Sequence, residues 1–216
     1  MPEFTPTDPF PLPASASYAE AQAHARLVDE WLGMKTEPIE KALAAAGGPS
    51  DQQLWIGLPT QSLLTPYTEI RELSERLNLQ PGETVVDLGA GYGRMSFVIA
   101  RHFAGVHFVG YEYVRERVEE ANRALEKFGA SPIEVADLKD PAFTPVAADY
   151  YFLYDYGTRD AIEKTLQDLR VIAQSRAITV IGRGRASRDA IERSHPWLSG
   201  VAAPEHFPHY SIYRTR

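Results

Sequence analysis

Along this chain, short apolar runs alternate with longer stretches in which apolar residues recur every three or four positions, and the alternation is regular from residue 84 onward. Runs of that kind read as buried strands, and the three-to-four spacing reads as amphipathic helix. The pattern predicts strand 84–88, helix 93–103, strand 106–111, helix 114–128, strand 132–136, a helix or loop over 139–143, strand 148–154, helix 158–173, strand 176–181, helix 186–193 and a last strand near 209–214. Parallel strands need long crossovers, so this order predicts an α/β fold, a doubly wound and mostly parallel sheet with helices on both faces. Upstream the pattern is helical. Ser17-Tyr-Ala-Glu20 is a capping box, and Ala23, Leu27, Val28, Trp31 and Leu32 follow at helical spacing, so a helix runs from Ser17 to about Gly33. A second helix starts at Pro38 and ends at Gly47-Gly48, Leu54–Leu64 is an apolar loop, and Thr65-Pro66 opens a helix from Tyr67 to about Leu77. Residues 1–16, with five prolines and little periodicity, read as a disordered or extended tail. The expected organisation is thus a tail (1–16), an N-terminal helical extension (17–64) and one α/β domain (65–216).

Composition narrows the setting. The chain has 216 residues, enough for one sizeable core, and 44% hydrophobic with 24% charged residues is ordinary for a globular protein. No apolar run reaches the roughly 20 residues of a membrane span, and the first residues lack a basic start followed by an apolar stretch, so the expected location is cytoplasmic with no membrane partner. The absence of cysteine excludes disulfides, thiolate metal sites and a cysteine nucleophile. No two of the six histidines form a His-x-x-x-His pair, so no metal site is expected. The net charge of −7 is uneven: residues 157–216 carry 10 basic and 6 acidic side chains, with Arg183, Arg185, Arg188 and Arg193 close together. That footprint is weaker than a nucleic-acid protein usually carries, which disfavours a nucleic-acid partner while leaving it open.

The chemistry concentrates at Asp87-Leu-Gly-Ala-Gly-Tyr-Gly93, where an apolar strand ends in an acid and enters a glycine-rich turn. Glycines at 89, 91 and 93 permit positive φ and close approach of a ligand to backbone. A dinucleotide fingerprint requires Gly-x-Gly-x-x-Gly, but Arg94 stands where its third glycine belongs, which weakens an NAD-dependent oxidoreductase reading. A phosphate-binding P-loop is absent too. Glu112 follows strand 106–111, about the separation at which an acid reaches a ribose in doubly wound folds, and Asp137-Leu138 follow strand 132–136. Three acids ending three consecutive strands form one pattern.

With its preceding acid, the glycine motif resembles the first motif of class I (seven-strand, Rossmann-like) S-adenosylmethionine-dependent methyltransferases, over about residues 65–181. The resemblance implies a seven-strand sheet and S-adenosylmethionine as cofactor. It implies that Asp87 helps hold the methionine end, that Glu112 holds the ribose hydroxyls and Asp137 with Leu138 meets the adenine, and that Gly89, Ala90, Gly91 and Tyr113 also bind the cofactor. The strand 148–154 then delivers Tyr154, Asp155 and Tyr156 to the reacting end, where amine-methylating relatives carry Asn/Asp-Pro-Pro-Tyr/Phe; this chain keeps the acid and lacks both prolines. Pro59-Thr60 and Pro66-Tyr67-Thr68-Glu69 are similar to short segments of non-SET protein lysine methyltransferases, which makes Thr60, Tyr67 and Glu69 candidates at the cofactor pocket. The implied activity is methyl transfer to an acceptor, preferably a protein lysine or small amine. Because Asp-Tyr-Gly is unusual at the reacting position, the alternative is a catalytically silent methyltransferase fold that acts through partners.

Overall fold

The computed structural model describes residues 3–13, 16–47 and 55–215. Its element order is α1 (Tyr18–Trp31), α2 (Thr36–Ala46), α3 (Thr60–Leu63), α4 (Tyr67–Leu77), β1 (Thr84–Leu88), α5 (Arg94–His102), β2 (His107–Glu112), α6 (Arg115–Phe128), β3 (Ile133–Val135), β4 (Tyr150–Tyr154), α7 (Arg159–Ala173), β5 (Thr179–Arg183), α8 (Arg185–Ser194), α9 (Pro196–Ser199), β6 (Glu205–His206) and β7 (Tyr210–Arg214). The seven strands lie in the order β3-β2-β1-β4-β5-β7-β6, parallel from β3 to β5, with β7 antiparallel to β5 and β6 antiparallel to β7. The expected doubly wound, mostly parallel sheet is present. Its order reverses between β1 and β4, and open α/β sheets bind ligands outside the carboxyl ends of strands at such a point.

Alternation along β1 sorts the two cores. Val85 joins the apolar layer under α1, α4, α5 and α6 with Phe10, Val28, Ile70, Leu73 and Phe97, whereas Val86 and Leu88 join the layer under α7 and α8 with Ile162, Leu166, Leu169 and Ile191. Asp87 shares the face of Val85, so its carboxylate points toward the N-terminal helices. The Ser17 capping box holds α1, with Glu20 N–H donating to Ser17 Oγ at 3.3 Å and the Ser17 N–H donating to the Glu20 carboxylate at 2.9 Å.

Several expected boundaries shift for physical reasons. The second helix begins at Thr36 rather than Pro38, because proline is tolerated throughout a first turn whose N–H groups lack helical partners. Its expected Gly48 end and the Leu54 start of the apolar loop lie outside the described residues; within the rest of that loop, 60–63 form α3. The 139–143 segment is turn, fixed by the Lys139 N–H on Asp137 Oδ1 and the Ala142 N–H on Asp140 Oδ1. Strand β5 runs to Arg183 rather than stopping at 181, since the Arg183 guanidinium is buried against Glu69. The proline-rich segment expected as a disordered tail is packed over its described part: Phe10 is fully buried, its ring stacked on Tyr67 at 5.0 Å, and the Arg101 guanidinium donates to the Thr7 carbonyl. Phe10 and Phe4, the latter edge-on to Trp31 at 5.8 Å, anchor the segment and outweigh the missing periodicity there.

Candidate active site

The carboxyl ends of β1, β2 and β4 open into a cavity of about 250 Å³. Its floor is Asp87, Gly89, Ala90, Gly91, Glu112 and Phe152; its far side is Tyr154, Asp155 and Tyr156; its roof comes from the N-terminal helices and the segment before α4, through Glu40, Trp55, Leu58, Ser62, Leu63, Leu64 and Thr65. A smaller adjoining cavity shares Gly89, Glu112 and Tyr156 and adds Tyr113, Asp137, Leu138, Lys139 and Gly157. The three strand-end acids therefore face two contiguous spaces rather than separate surfaces.

The glycine loop fits this geometry for steric reasons. Gly89 has φ +88°, and a Cβ on it would lie 2.2 Å from the Cβ of Tyr156, so the floor admits no side chain there. Gly91, at φ +56°, donates its N–H to Glu112 Oε2 at 2.8 Å, while Glu112 Oε1 accepts from the Val114 N–H at 2.9 Å. Glu112 is thereby held rigid at 5% exposure with lone pairs still available to hydroxyl donors. Asp87 is different. Among the described residues its carboxylate has no hydrogen-bond partner, and burial, reinforced by the charge of Glu112, pushes its pKa up to about 8. A buried acid left without a donor in the floor of a cavity suits a cationic ligand group, such as the ammonium of a methionine moiety.

Two arginines also reach the cavity, and both are already engaged. Arg94, at the position that breaks the dinucleotide fingerprint, pairs with buried Asp29 of α1 and donates to Gln61 Oε1 at 2.9 Å and to the Thr65 carbonyl at 3.1 Å. Arg117 of α6 makes two bonds to Glu40 of α2, 2.7 and 2.9 Å, and its Nη1 lies 3.7 Å from Glu112 Oε1. Tyr92 of the glycine loop adds its hydroxyl to Glu40 at 2.9 Å. A third buried pair, Arg183 with Glu69 at 2.6 Å, lies beneath the ring of Tyr154, whose centroid is 4.1 Å from the guanidinium carbon.

Of the residues expected at the site, Asp87, Gly89, Ala90, Gly91, Glu112, Tyr113, Asp137, Leu138, Tyr154, Asp155 and Tyr156 line the two cavities. Thr60 and Tyr67 do not: Thr60 is buried in α3, and Tyr67 is sealed between Phe10 and the Arg94 guanidinium with its hydroxyl on Asp29. Ser62 and Thr65, close by in sequence, take the cavity-facing positions. Asp155 lines the wall, but its carboxylate is committed elsewhere. It accepts from the Ser187 N–H at 2.7 Å, the Ser187 hydroxyl at 2.7 Å and the Ala186 N–H at 3.1 Å, and so caps α8, whose own N-cap, Gly184, has no side chain. The expected catalytic acid is a helix cap. Tyr156 likewise spends its hydroxyl on the Ala161 carbonyl and Thr165, leaving its ring as wall. Glu40, Arg117, Trp55 and Leu58, which no local pattern singled out, complete the cavity lining from segments distant in the chain.

Residues 79–152 match the model of a methyltransferase domain family. Among solved structures, TrmN from Thermus thermophilus superposes with a TM-score of 0.53 at 16% identity, covering 70% of this chain and 48% of that one, so the chain spans about half the length of that protein. An RNA methyltransferase from Salinibacter ruber, solved with S-adenosyl-L-homocysteine, gives a TM-score of 0.49 at 20% identity, covering 70% of this chain and 91% of that one. No curated protein matches in sequence. Strand order and the domain match together show a class I methyltransferase-like fold, with residues 79–152 similar to a methyltransferase domain.

Proposed function

We propose that the chain methylates an amine, either a small free amine or a protein lysine side chain, and that residues 17–64 are a cap over a cofactor-binding domain formed by residues 65–216. S-adenosylmethionine, when bound, supplies an electrophilic methyl on a sulfonium, which an acceptor nitrogen takes with loss of a proton and release of S-adenosylhomocysteine. In this reading Asp87 faces the cofactor's ammonium, Glu112 its ribose hydroxyls, and Asp137 with Leu138 its adenine. The backbone of Gly89, Ala90 and Gly91 lets the cofactor lie close, and Tyr113 borders the adenine side.

The observation that carries the amine assignment is the character of the wall around the open end: Tyr154, Tyr156, Trp55 and Leu58 are aromatic or apolar, and the acids Asp87 and Glu112 lie in the floor with Phe152. Aromatic faces attract a cation and exclude water, which suits an alkylamine that must shed its hydration before reacting. A phosphate-bearing acceptor gains little from that wall, because Arg94, Arg117 and Arg183 are all paired with carboxylates. Alignment and desolvation at this wall are the chain's own contributions to rate, with Tyr154 and Tyr156 as walls rather than proton carriers. Asp155 supports the floor through α8.

The engaged Asp155 carboxylate also keeps alive a reading in which the fold binds the cofactor without turnover and acts through partners. Incubation with methyl-labelled cofactor and separate panels of small amines, lysine peptides and RNA distinguishes the readings. Label transferred to an amine or lysine supports the assignment; transfer to RNA alone, or to nothing while the cofactor binds, overturns it.

A further inference from the structure

The cap does more than roof the cavity, because one of its side chains reaches the guanidinium beside the acid that faces the ribose. Glu40 lies in the second turn of α2, is 4% exposed, and comes 77 residues before Arg117 in sequence. It holds Arg117 through two hydrogen bonds of 2.7 and 2.9 Å, and the same carboxylate accepts from the Tyr92 hydroxyl of the glycine loop. Arg117 in turn places Nη1 3.7 Å from Glu112 Oε1, and Glu40, Arg117 and Glu112 all line the cavity. Glu112 sits close enough to Asp87 for its charge to raise that group's pKa. Two carboxylates in a buried floor repel one another, and the guanidinium between α2 and Glu112 is the charge that offsets the repulsion.

Resting on the cofactor reading above, we propose that Glu40 and Arg117 are positioning residues for the nucleoside end of S-adenosylmethionine: Glu40 aims Arg117 at Glu112, so that α2 must be docked for the ribose site to be complete. Neither residue needs to touch the cofactor. Arg117 holds Glu112 in place from 3.7 Å, and Glu40, with Tyr92, keeps Arg117 from swinging away. A planar guanidinium gripped by two parallel bonds has one orientation, which a lysine ammonium at that position lacks.

The test is a double-mutant cycle on the full chain, read by calorimetric titration with S-adenosylhomocysteine. Glu40→Gln is close to isosteric and keeps one hydrogen bond; it is expected to weaken binding about tenfold, and Arg117→Lys by a similar factor. In the background of Glu112→Gln, Glu40→Gln is expected to change affinity less than threefold, because the residue it acts through is already neutral. Equal losses from Glu40→Gln with and without Glu112→Gln make the pair a purely structural tie and overturn the proposal. Unchanged affinity in Glu40→Gln and Arg117→Lys, both folded by their unfolding transitions, overturns it too. If the wild-type chain fails to bind S-adenosylhomocysteine at all, the cofactor reading itself has failed, which is a separate outcome. If Glu40→Gln does not fold, the comparison of Arg117→Lys with and without Glu112→Gln decides in the same way.

Discussion

At the scale of single residues, Asp87 shows a functional group held against the interest of stability. Its pKa of about 8 in the folded protein exceeds the ~3.9 of an unfolded aspartate, so between those values the folded state holds a proton that the unfolded state lacks. Stability from this group is therefore complete below about pH 4 and lost progressively as the pH rises through 8. Asp87→Asn removes the buried charge and is expected to stabilise the ligand-free protein near pH 8 by about 1 kcal/mol, a rise in Tm of about 2–4 °C, while weakening cofactor binding. Melting curves at pH 6 and pH 8.5 check it: the mutant should gain more at the higher pH, and an equal or opposite difference contradicts the assigned pKa. Glu112→Ala is expected to weaken S-adenosylhomocysteine binding by about 2–3 kcal/mol through the loss of charge-assisted hydrogen bonds, whereas Asp155→Ala should leave that affinity unchanged.

At the scale of elements, two buried ion pairs tie the N-terminal helices to the sheet domain, Asp29 with Arg94 and Glu40 with Arg117, and a third, Glu69 with Arg183, ties α4 to β5. Removing one partner strands a buried charge. Asp29→Ala is expected to cost about 3–5 kcal/mol by chemical denaturation, and Asp29→Leu combined with Arg94→Met considerably less, since apolar replacement of both partners removes the desolvation penalty. Near-equal losses in the two variants would argue that packing rather than charge joins the cap to the domain. For the start of α8, Asp155→Ala is expected to cost about 1–2 kcal/mol as a lost cap, and Gly184→Ala to be destabilising as well, because its Cβ would lie 2.4 Å from the Asp155 carboxylate. The alternation of apolar residues made the strands and their crossovers legible, and the glycine loop with acids at 87, 112 and 137 marked residues that line the two cavities, because both signals are local. The roof was not legible. Its pairs join residues 65, 77 and 114 positions apart, and charge pairing at such separation leaves no periodic trace in the chain. Arg94 illustrates the point: in sequence it only broke a dinucleotide motif, yet in the fold it is the clamp on Asp29. At Asp155 the cap of α8 was not legible because a capping acid and a catalytic acid at a strand end have the same local appearance.

For the whole molecule, the reversal of strand order between β1 and β4 sets the cavity floor, and helices α1 and α2 fold back over it through arginines supplied from beyond residue 90. Among the described residues no helix is long and apolar enough to cross a membrane. Because Glu40, Trp55 and Leu58 line the cavity together with residues of the sheet, ligand binding should stabilise the N-terminal helices and the sheet at once. Ligand at about 100 times its Kd adds roughly 2.7 kcal/mol, an expected rise in Tm of about 5–10 °C in a single transition, and two separate transitions would mean the cap folds independently of the site. The most direct test of the account is a calorimetric titration of the wild-type chain with S-adenosylmethionine beside the same titration of Glu112→Ala. Saturable binding with one ligand per chain, weakened about 30-fold or more by the substitution, is the predicted result; no binding at millimolar ligand, or equal affinity in the two proteins, would contradict it.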